Sequence, residues 1–309
     1  MKRPIKLITI LISAVMLCCL TGCMSVAAKY DNADKYDAGD REFGGEVTEL
    51  DIDWSSGSVT VSRHDGDTVS VTETCKEELS DSKKVHTWLE GSVLHVRFSK
   101  SGETFFTSTP EKKLEIKLPR DLKLKSLDFN GSSAETSFED ISADIIRADV
   151  SSGDLRFYSC SADSFKLESS SGNIELEQKG ESESIKAEAS SGKINLTAET
   201  AGELDLDTSS GDVTVKVQKA NKLISNASSG ETEIHLEEMP SETRIEASSG
   251  DVAVYLPKDA DFTGTIDTSS GKVNSDLPLS NSGKTYTCGS GTNALFIETS
   301  SGDVALRAQ

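Results

Sequence analysis

The stretches Ser170-Ser-Gly-Asn-Ile-Glu-Leu176 and Ser190-Ser-Gly-Lys-Ile-Asn-Leu196 are two copies of the pattern that decides the fold of this chain. Ser-Ser-Gly occurs nine times, with its glycine at Gly57, Gly153, Gly172, Gly192, Gly211, Gly230, Gly250, Gly271 and Gly302. From Gly153 to Gly271 the intervals are 19, 20, 19, 19, 20 and 21 residues, and a degenerate copy, Ser132-Ser133-Ala134, lies 19 residues before Gly153. A constant period near 20 predicts stacked supersecondary units.

Apolar residues alternate with polar ones on both sides of each glycine, as in Ile194 and Leu196 after Gly192 and Ala187 before it. The intervening positions, such as Lys186 and Glu188, are polar, which is typical of strands with one dry and one wet face. We therefore predict an all-β fold, a single-stranded, β-helix-like β-solenoid of ~20-residue coils. About ten coils at ~4.8 Å would make a rod roughly 50 Å long. A meander of hairpins is the alternative.

The recurrent glycine has a backbone explanation. A tight corner at the same place in every coil favours a residue that tolerates positive φ and carries no Cβ to crowd the neighbouring coil. At Ala134 we expect a strained or differently turned corner, and we expect the serine hydroxyls to bond the freed backbone groups of the corners. Since Lys193 and Lys272 directly follow two of these glycines, a repeated calcium site is disfavoured, and no metal or cofactor is predicted.

Residues 45–125 also carry strand-like alternation, with longer loops. A solenoid must cover its open ends to avoid edge-to-edge pairing, so this section is predicted to be an N-terminal cap continuous with the rod. It concentrates the aromatic residues Trp54, Trp88, Phe105 and Phe106. We interpret them as core and cap packing; an exposed patch for a glycan or a protein partner is the alternative.

The first 23 residues predict export and a lipid anchor. Lys2, Arg3 and Lys6 precede the apolar run 7–17, and Leu20-Thr-Gly-Cys23 resembles the lipobox of bacterial lipoproteins, in which the cysteine becomes the lipidated N-terminus. The mature chain would carry a net charge of −23 and sit on the extracytoplasmic face of the cell membrane. The predicted segments are therefore a signal peptide (1–22), a lipidated cysteine with a flexible tether (23–44), the cap (45–125) and the solenoid (126–309).

Composition excludes one class of function. The 309 residues carry 52 acidic and 32 basic side chains, a net charge of −20. Nucleic-acid binding is therefore excluded, because it requires clustered Lys and Arg. Beyond the signal peptide and Cys23, the cysteines are Cys75, Cys160 and Cys288; we expect structural or free thiols, with room for one disulfide.

Catalytic motifs are missing from the sequence, which contains no nucleophile elbow, P-loop or dinucleotide fingerprint. The four histidines have no metal-ligand spacing and are interpreted as surface residues of strands or loops: His64, His86, His95 and His235. Polysaccharide lyases and hydrolases also use β-helices, but with long loops that the even intervals from Ala134 to Gly271 leave no room for. We predict a non-enzyme; a catalytic site would have to lie in residues 76–112 or 275–297.

Several segments together resemble a bacterial β-strand-repeat family labelled "putative adhesin", a domain of unknown function. They are Leu114-Glu-Ile-Lys-Leu-Pro-Arg-Asp-Leu122, Leu127-Asp-Phe129, the Ser-Ser-Gly units, Tyr286-Thr-Cys-Gly-Ser-Gly-Thr-Asn293 and Ile297-Glu-Thr-Ser-Ser-Gly-Asp-Val304. The resemblance covers residues 45–309 and implies an exported β-repeat fold without catalytic residues to transfer. The chain departs from it in the 31-residue gap between Gly271 and Gly302, where Gly291 would mark an irregular coil, and between Gly57 and Ala134.

Two functions remain open on the sequence alone. In the first, the rod is a surface-exposed, adhesin-like or envelope-binding module that presents polar ladders to a cell-wall polymer, a glycan or a protein. In the second, it is an accessory of an envelope-stress or signalling system that contacts a membrane partner through its N-terminal section. The high negative charge disfavours anionic wall polymers unless divalent cations bridge them.

Overall fold

The structure, a computed structural model, describes residues 25–26, 29–105 and 109–309. Two short 3-10 helices cover Ala33–Lys35 and Asp81–Lys83. The N-terminal strands are β1 (Ser25–Val26), β2 (Asp37–Ala38), β3 (Arg41–Phe43), β4 (Glu49–His64), β5 (Val69–Cys75), β6 (His86–Glu90), β7 (Val93–Arg97), β8 (Thr104–Phe105) and β9 (Lys112–Pro119). The repeat strands are β10 (Leu124–Glu139), β11 (Ser142–Val150), β12 (Leu155–Ser169), β13 (Ile174–Ala189), β14 (Ile194–Ser210), β15 (Val213–Ser229), β16 (Thr232–Leu236), β17 (Glu242–Ser249) and β18 (Val252–Leu256). The C-terminal strands are β19 (Phe262–Ser270), β20 (Val273–Ser275), β21 (Ser280–Ser282), β22 (Thr285–Cys288), β23 (Asn293–Ser301) and β24 (Val304–Ala308).

Parallel pairing between successive coils builds the rod. Ile174 pairs with Ile194 and Ile194 with Val213 in one sheet, while Ala187 pairs with Leu206 and Leu206 with Ser225 in the other. Each coil thus contributes one run of strand to each of two sheets, which are joined at the Ser-Ser-Gly corner. The predicted β-solenoid is confirmed, and the hairpin meander is excluded for the repeat because like residues stack in parallel register.

The core is a column of inward-facing side chains between the two sheets. The second residue after each glycine is buried from Leu155 to Val304, except for the half-buried Val273, and the fifth residue before it is buried in every coil. Stacked rings fill the N-terminal half, where Phe138 and Phe157 lie parallel with their centroids 4.5 Å apart. The alternation in the sequence therefore specified which face of each strand is dry.

The close approach of neighbouring coils explains the glycine column better than backbone conformation does. At each of the nine glycines, an added Cβ would overlap the backbone carbonyl oxygen at the same corner of the adjacent coil; for Gly211 that oxygen belongs to Gly192. Positive φ does not occur at every corner. Gly57 has φ 90°, whereas the φ of Gly211 is not positive. The expectation that each corner needs positive φ therefore holds at only some of them.

The degenerate corner at Ala134 is built differently. β10 runs unbroken through Ser132-Ser133-Ala134, Ala134 pairs with Gly57, and its φ is not positive. Its methyl group is fully buried. This corner can hold a Cβ because the extended backbone directs it into the core, so it is differently turned rather than strained.

The second bend of each coil was not visible in the sequence because it has no constant residue. In successive coils it contains Asp140 and Ser159, each with φ 57°, then Gly180 with φ 75°, and the pairing between strands shifts register there. Asp140 and Ser159 are non-glycine residues in the left-handed region, a conformation that short polar side chains tolerate.

The N-terminal end is capped by strands of both directions. β7 and β9 pair in parallel with β4 and form the outermost coil, and β6 and β5 then cover them in antiparallel pairing. The segment expected to be a flexible tether takes part in this cap, because β2 pairs with β6 and β3 with β5. Tyr30 is also fixed, since its hydroxyl donates to the carbonyl of Ser99 over 2.9 Å. Local composition suggested a tether because it does not reveal such long-range pairing.

The C-terminal end explains the 31-residue gap. β23 and β24 insert between the coil of β17 and β18 and the coil of β19 and β20, so the last coil in sequence is the second from the end in space. The gap contains the antiparallel hairpin β21–β22, which pairs with β19. Gly291 lies in the loop that leads into β23 rather than in an irregular coil.

Candidate binding surface

The Ser-Ser-Gly corners stack into a continuous edge along the rod. Backbone groups freed at each corner bond to the adjacent coil, as where the amide of Ser190 donates to the carbonyl of Ser169 over 2.9 Å. The corner hydroxyls were expected to make such bonds, but among the described residues only Ser56 Oγ does so, to the carbonyl of Pro110 at 3.0 Å. The other corner serines expose their hydroxyls because the backbone already pairs with itself.

The side chains that do bond within the corner lie three residues before the glycine. Ser169 Oγ accepts from the amide of Gly172 over 2.8 Å, and Thr268 Oγ1 donates to the carbonyl of Gly302 over 2.9 Å. Sequence reasoning missed this position. The signal that could have found it is the recurrence of hydroxyl side chains there, as at Thr208.

The residue after each glycine stabilises the stacking of coils. Asp154 Oδ1 accepts from the amide of Asn173 over 2.8 Å, and Asn173 Oδ1 accepts from the amide of Lys193 over 3.0 Å. Lys193 in turn pairs with Asp212 at 2.7 Å. These oxygens are thus engaged by the protein, and no group of His, Cys, Asp and Glu able to hold a metal occurs in the described part of the chain.

Beside the serine edge, one outer column of the sheet is acidic over four coils. Pairing aligns Asp149 with Glu168, Glu168 with Glu188 and Glu188 with Asp207. Together with serines of the adjacent corners, these carboxylates line a groove of about 310 Å³. Burial, and then the neighbouring Glu188, raise the pKa of Asp207. We call Asp149, Glu168, Glu188 and Asp207 the carboxylate ladder.

A column of basic residues partly balances the carboxylate ladder. Lys166 Nζ lies 2.6 Å from Glu168, and Lys186 Nζ lies 2.6 Å from Glu188. The lysine and the glutamate of each pair are two residues apart on the same strand. Like charges therefore stack from coil to coil along the rod, and opposite charges pair along each strand. Such exposed pairs are individually weak, and their regular repetition leaves a charged stripe beside the serine edge.

A second groove, of about 530 Å³, lies on the other sheet near the variable bend. The ring of His235 stacks on Tyr255 with centroids 4.1 Å apart, and His235 Nε2 lies 2.7 Å from Glu233. The lining mixes both charges, with Lys179, Glu199 and Lys216 among its residues. Sequence reasoning placed His235 on a strand surface but did not find this groove.

The aromatic residues of the N-terminal section do not form one exposed patch. Trp54 is fully buried and Phe105 is 4% exposed. Trp88 is half-buried and stacks on His95 with centroids 5.5 Å apart. Phe106 lies outside the described residues. Among those described, the aromatic side chains pack into the core and cap.

Trp54 forms part of a buried charged cluster. Lys112 Nζ lies 2.6 Å from Glu73 and donates to the carbonyls of Lys83 and Phe98, and its ammonium sits over the ring of Phe98. Lys112 is fully buried, and this burial lowers its pKa while Glu73 opposes the change. The cluster closes the N-terminal end of the core.

The remaining histidines and the cysteines have structural surroundings. His64 and His86 bond to backbone oxygens, and His95 Nδ1 lies 2.6 Å from Asp51, so they occupy strands and loops of the cap. The surface interpretation fails for His86, which is 5% exposed. The three described cysteines are free thiols: Cys75, Cys160 and Cys288. Burial raises the pKa of Cys160 to about 12, which removes it from thiolate chemistry at neutral pH.

Cys23 and the signal segment lie outside the described residues. In the described part, none of the helices has the length and apolar character needed to cross a bilayer. The segments in which a catalytic site was left open lie at the two ends of the rod: residues 76–105 and 109–112 belong to the N-terminal cap, and residues 275–297 contain the C-terminal hairpin.

Comparison with known proteins gives a family and several distant structures. The chain is similar to a "putative adhesin" from Parabacteroides merdae, with 16% identity over 91% of this chain and 99% of the other and a TM-score of 0.49. It is also similar to a "putative lipid binding protein" from Parabacteroides distasonis, with 17% identity over 88% and 97% of the two chains and a TM-score of 0.45. No curated protein matches.

The family model described as Toastrack DUF4097 matches residues 47–243 and 226–307, which is most of the chain and includes both the cap and the repeats. The chain therefore belongs to the Toastrack DUF4097 family.

Proposed function

We propose that this protein is an exported, lipid-anchored and non-catalytic binding module that presents its solenoid to a polymer of the cell envelope. The observation that carries the proposal is the uninterrupted serine edge beside the carboxylate ladder. Both repeat at the ~4.8 Å spacing of neighbouring strands, so a ligand that also repeats along its length could contact several coils at once. The ligand class proposed is a wall polymer or glycan.

Hydroxyl and carboxylate groups suit such a ligand because they form many hydrogen bonds with sugar hydroxyls. An anionic polymer would be repelled by the ladder unless a divalent cation lay between them. The alternative of a membrane partner held by an N-terminal aromatic patch loses support from the burial of Trp54 and Phe105.

The anchor is tested on the native protein. Full-length chain is produced in a bacterium, and the mass of its N-terminal peptide is measured beside that of a Cys23→Ser variant. We expect a diacylglycerol-modified Cys23 and membrane association, and a water-soluble variant without the modification. An unmodified wild-type N-terminus would refute the anchor.

Ligand binding is tested by co-sedimentation of residues 24–309 with purified cell wall and with intact cells, with and without Ca²⁺. We expect saturable binding to isolated wall that needs no membrane protein. The variant Glu168→Gln/Glu188→Gln should change this binding and its Ca²⁺ dependence, whereas Lys216→Gln/Glu237→Gln, in the second groove, should not. Absence of binding to both wall and cells would overturn the proposal and favour a membrane-protein partner.

A further inference from the structure

The chain is fixed to the rod soon after the predicted lipidation site. The amide of Tyr30 donates to Ser101 Oγ over 3.1 Å, and Ser101 Oγ donates to the carbonyl of Tyr30 over 3.2 Å. Six residues therefore separate Cys23 from the pinned Tyr30, and the seven steps between them span at most ~24 Å when extended. β1 pairs with β8 within this interval, which further shortens the segment that is free to extend between Cys23 and the rod. A tether reaching to residue 44 would have allowed three times that distance.

Three lysines lie in the segments next to this fixed point. The side chain of Lys29 lies beside Gly102, Lys83 Nζ lies 5.9 Å from the ring centroid of Phe105, and the amide of Lys100 donates to the carbonyl of Ser82. Lys29 and Lys100 are exposed and Lys83 is partly exposed. We call Lys29, Lys83 and Lys100 the basal lysines.

The basal lysines have no ion-pair partner among the described residues. The nearby Asp81 is instead paired with Lys84 at 2.7 Å. Asp34 is likewise paired with Lys35, at 3.7 Å. The three ammonium groups are thus left to interact with something outside the chain.

Charge is distributed unevenly along the molecule. Residues 24–125, which include the whole N-terminal cap, carry fifteen basic and twenty acidic side chains, whereas residues 126–309 carry fourteen basic and thirty-two acidic ones. An anionic surface would therefore repel the second section much more strongly than the first, over the ~8 to 10 Å at which charges act in physiological salt.

We propose that the basal lysines form a contact surface for the anionic headgroups of the bilayer, so that the rod stands on its N-terminal end with the solenoid held away from the membrane. The proposal rests on the lipid anchor at Cys23 from the proposed function. The short segment between Cys23 and Tyr30 brings this end to the bilayer. The net negative charge of the repeats repels them from the anionic headgroups, so the rod does not lie flat on the membrane. The serine edge and carboxylate ladder would then face outward along the whole rod.

The test measures the reactivity of individual lysines on vesicles. The mature chain 23–309, with Cys75→Ser, is coupled through Cys23 to a maleimide-bearing phospholipid in vesicles of phosphatidylcholine, with or without phosphatidylglycerol. Lysine acetylation rates are then read by mass spectrometry. Because coupling replaces the cellular modification, this result is independent of whether the cell lipidates Cys23.

We expect acetylation of the basal lysines to slow about fivefold on the anionic vesicles, as an attraction of ~1 kcal/mol per lysine near the surface would give. The matched controls are three exposed solenoid lysines without an ion pair among the described residues: Lys216, Lys258 and Lys272. Their rates should be equal on both vesicles, and protection of the basal lysines should vanish in ~1 M salt, where the Debye length is ~3 Å. Equal rates for the basal lysines on both vesicles would overturn the proposal, and so would equal slowing of the controls.

Discussion

At the N-terminal end, the outermost parallel coil consists of β7 and β9, which cover the earlier strand β4. At the C-terminal end, the outermost coil consists of β19 and β20, which cover the later strands β23 and β24. In both places the terminal coil of the repeat is second from the end. At the N-terminal end the single strands β6 and β5 cover the outermost coil in antiparallel pairing, whereas at the C-terminal end the hairpin β21–β22 pairs with β19. Antiparallel strands therefore protect both strands of the outermost coil at the N-terminal end, and β19 at the C-terminal end, from pairing with other chains.

Different side-chain interactions close the two ends of the solenoid. The N-terminal core is sealed by Trp54 and by the buried pair of Lys112 and Glu73. At the C-terminal end the corresponding polar anchor is on the surface, where Asp261 accepts hydrogen bonds from the loop before β23. Between the ends, the coils rely on repeated aliphatic columns and on glycine corners. The three regions should consequently respond differently to substitution.

The largest effect is expected in the middle of the rod. Gly211→Val would place a branched side chain against the carbonyl oxygen of Gly192 and force two coils apart. We expect a loss of about 3 kcal/mol or more in the free energy of unfolding, a size typical of severe overpacking. Urea denaturation followed by circular dichroism measures it. Gly45→Val is the matched control, because an added Cβ there meets open space, and a similar loss in both variants would contradict the stacking explanation.

The next effect separates the two ends. Lys112→Met leaves Glu73 as a buried carboxylate without its cation, which costs about 3 kcal/mol in typical buried pairs. We expect Lys112→Met/Glu73→Gln to recover part of that loss, because the double variant has no unpaired charge. The measurement is again the urea midpoint, and a double variant less stable than Lys112→Met would show that the pair is not the stabilising unit.

A gain in stability is expected within the aliphatic column. Thr232 occupies the position filled by Val213 and Val252 in the neighbouring coils and is 1% exposed. Its Oγ1 has no hydrogen-bond partner among the residues that the structure describes. Thr232→Val keeps the shape and removes an unsatisfied buried hydroxyl, so we expect a gain of about 1 kcal/mol. Thr214→Val, on the outer face of the adjacent coil, is the control and should change stability far less. A loss of stability in Thr232→Val would indicate a bonded hydroxyl.

These regions also differ in how far the sequence predicts them. The middle coils were predictable because period, alternation and corner all repeat, and Ile174, Ile194 and Val213 stack as their spacing indicates. The ends were not, because β23 inserts between strands that precede it in sequence, and no local pattern records such an insertion. Lys112 was equally hidden, since a lysine within an alternating strand normally marks the wet face. The second groove depends on how the variable bends are placed, which is a matter of three-dimensional packing.

The smallest effect is expected at the C-terminal anchor. Asp261 Oδ1 accepts from the amide of Thr292 over 3.1 Å, Oδ2 accepts from Ser290 Oγ over 2.5 Å, and these bonds hold the pKa of Asp261 well below its usual range. A carboxyl with a lowered pKa stabilises the fold above its unfolded-state value and loses that contribution as pH falls below about 4. Because Asp261 is partly exposed and bonds only to a surface loop, we expect Asp261→Ala to loosen the loop 289–293 with little change in global unfolding. Hydrogen exchange would show faster exchange there at pH 7, with no change in the coils of β13 and β14. Faster exchange across those coils as well would mean that the surface anchor supports the whole rod, and the contrast between the two ends would then fail.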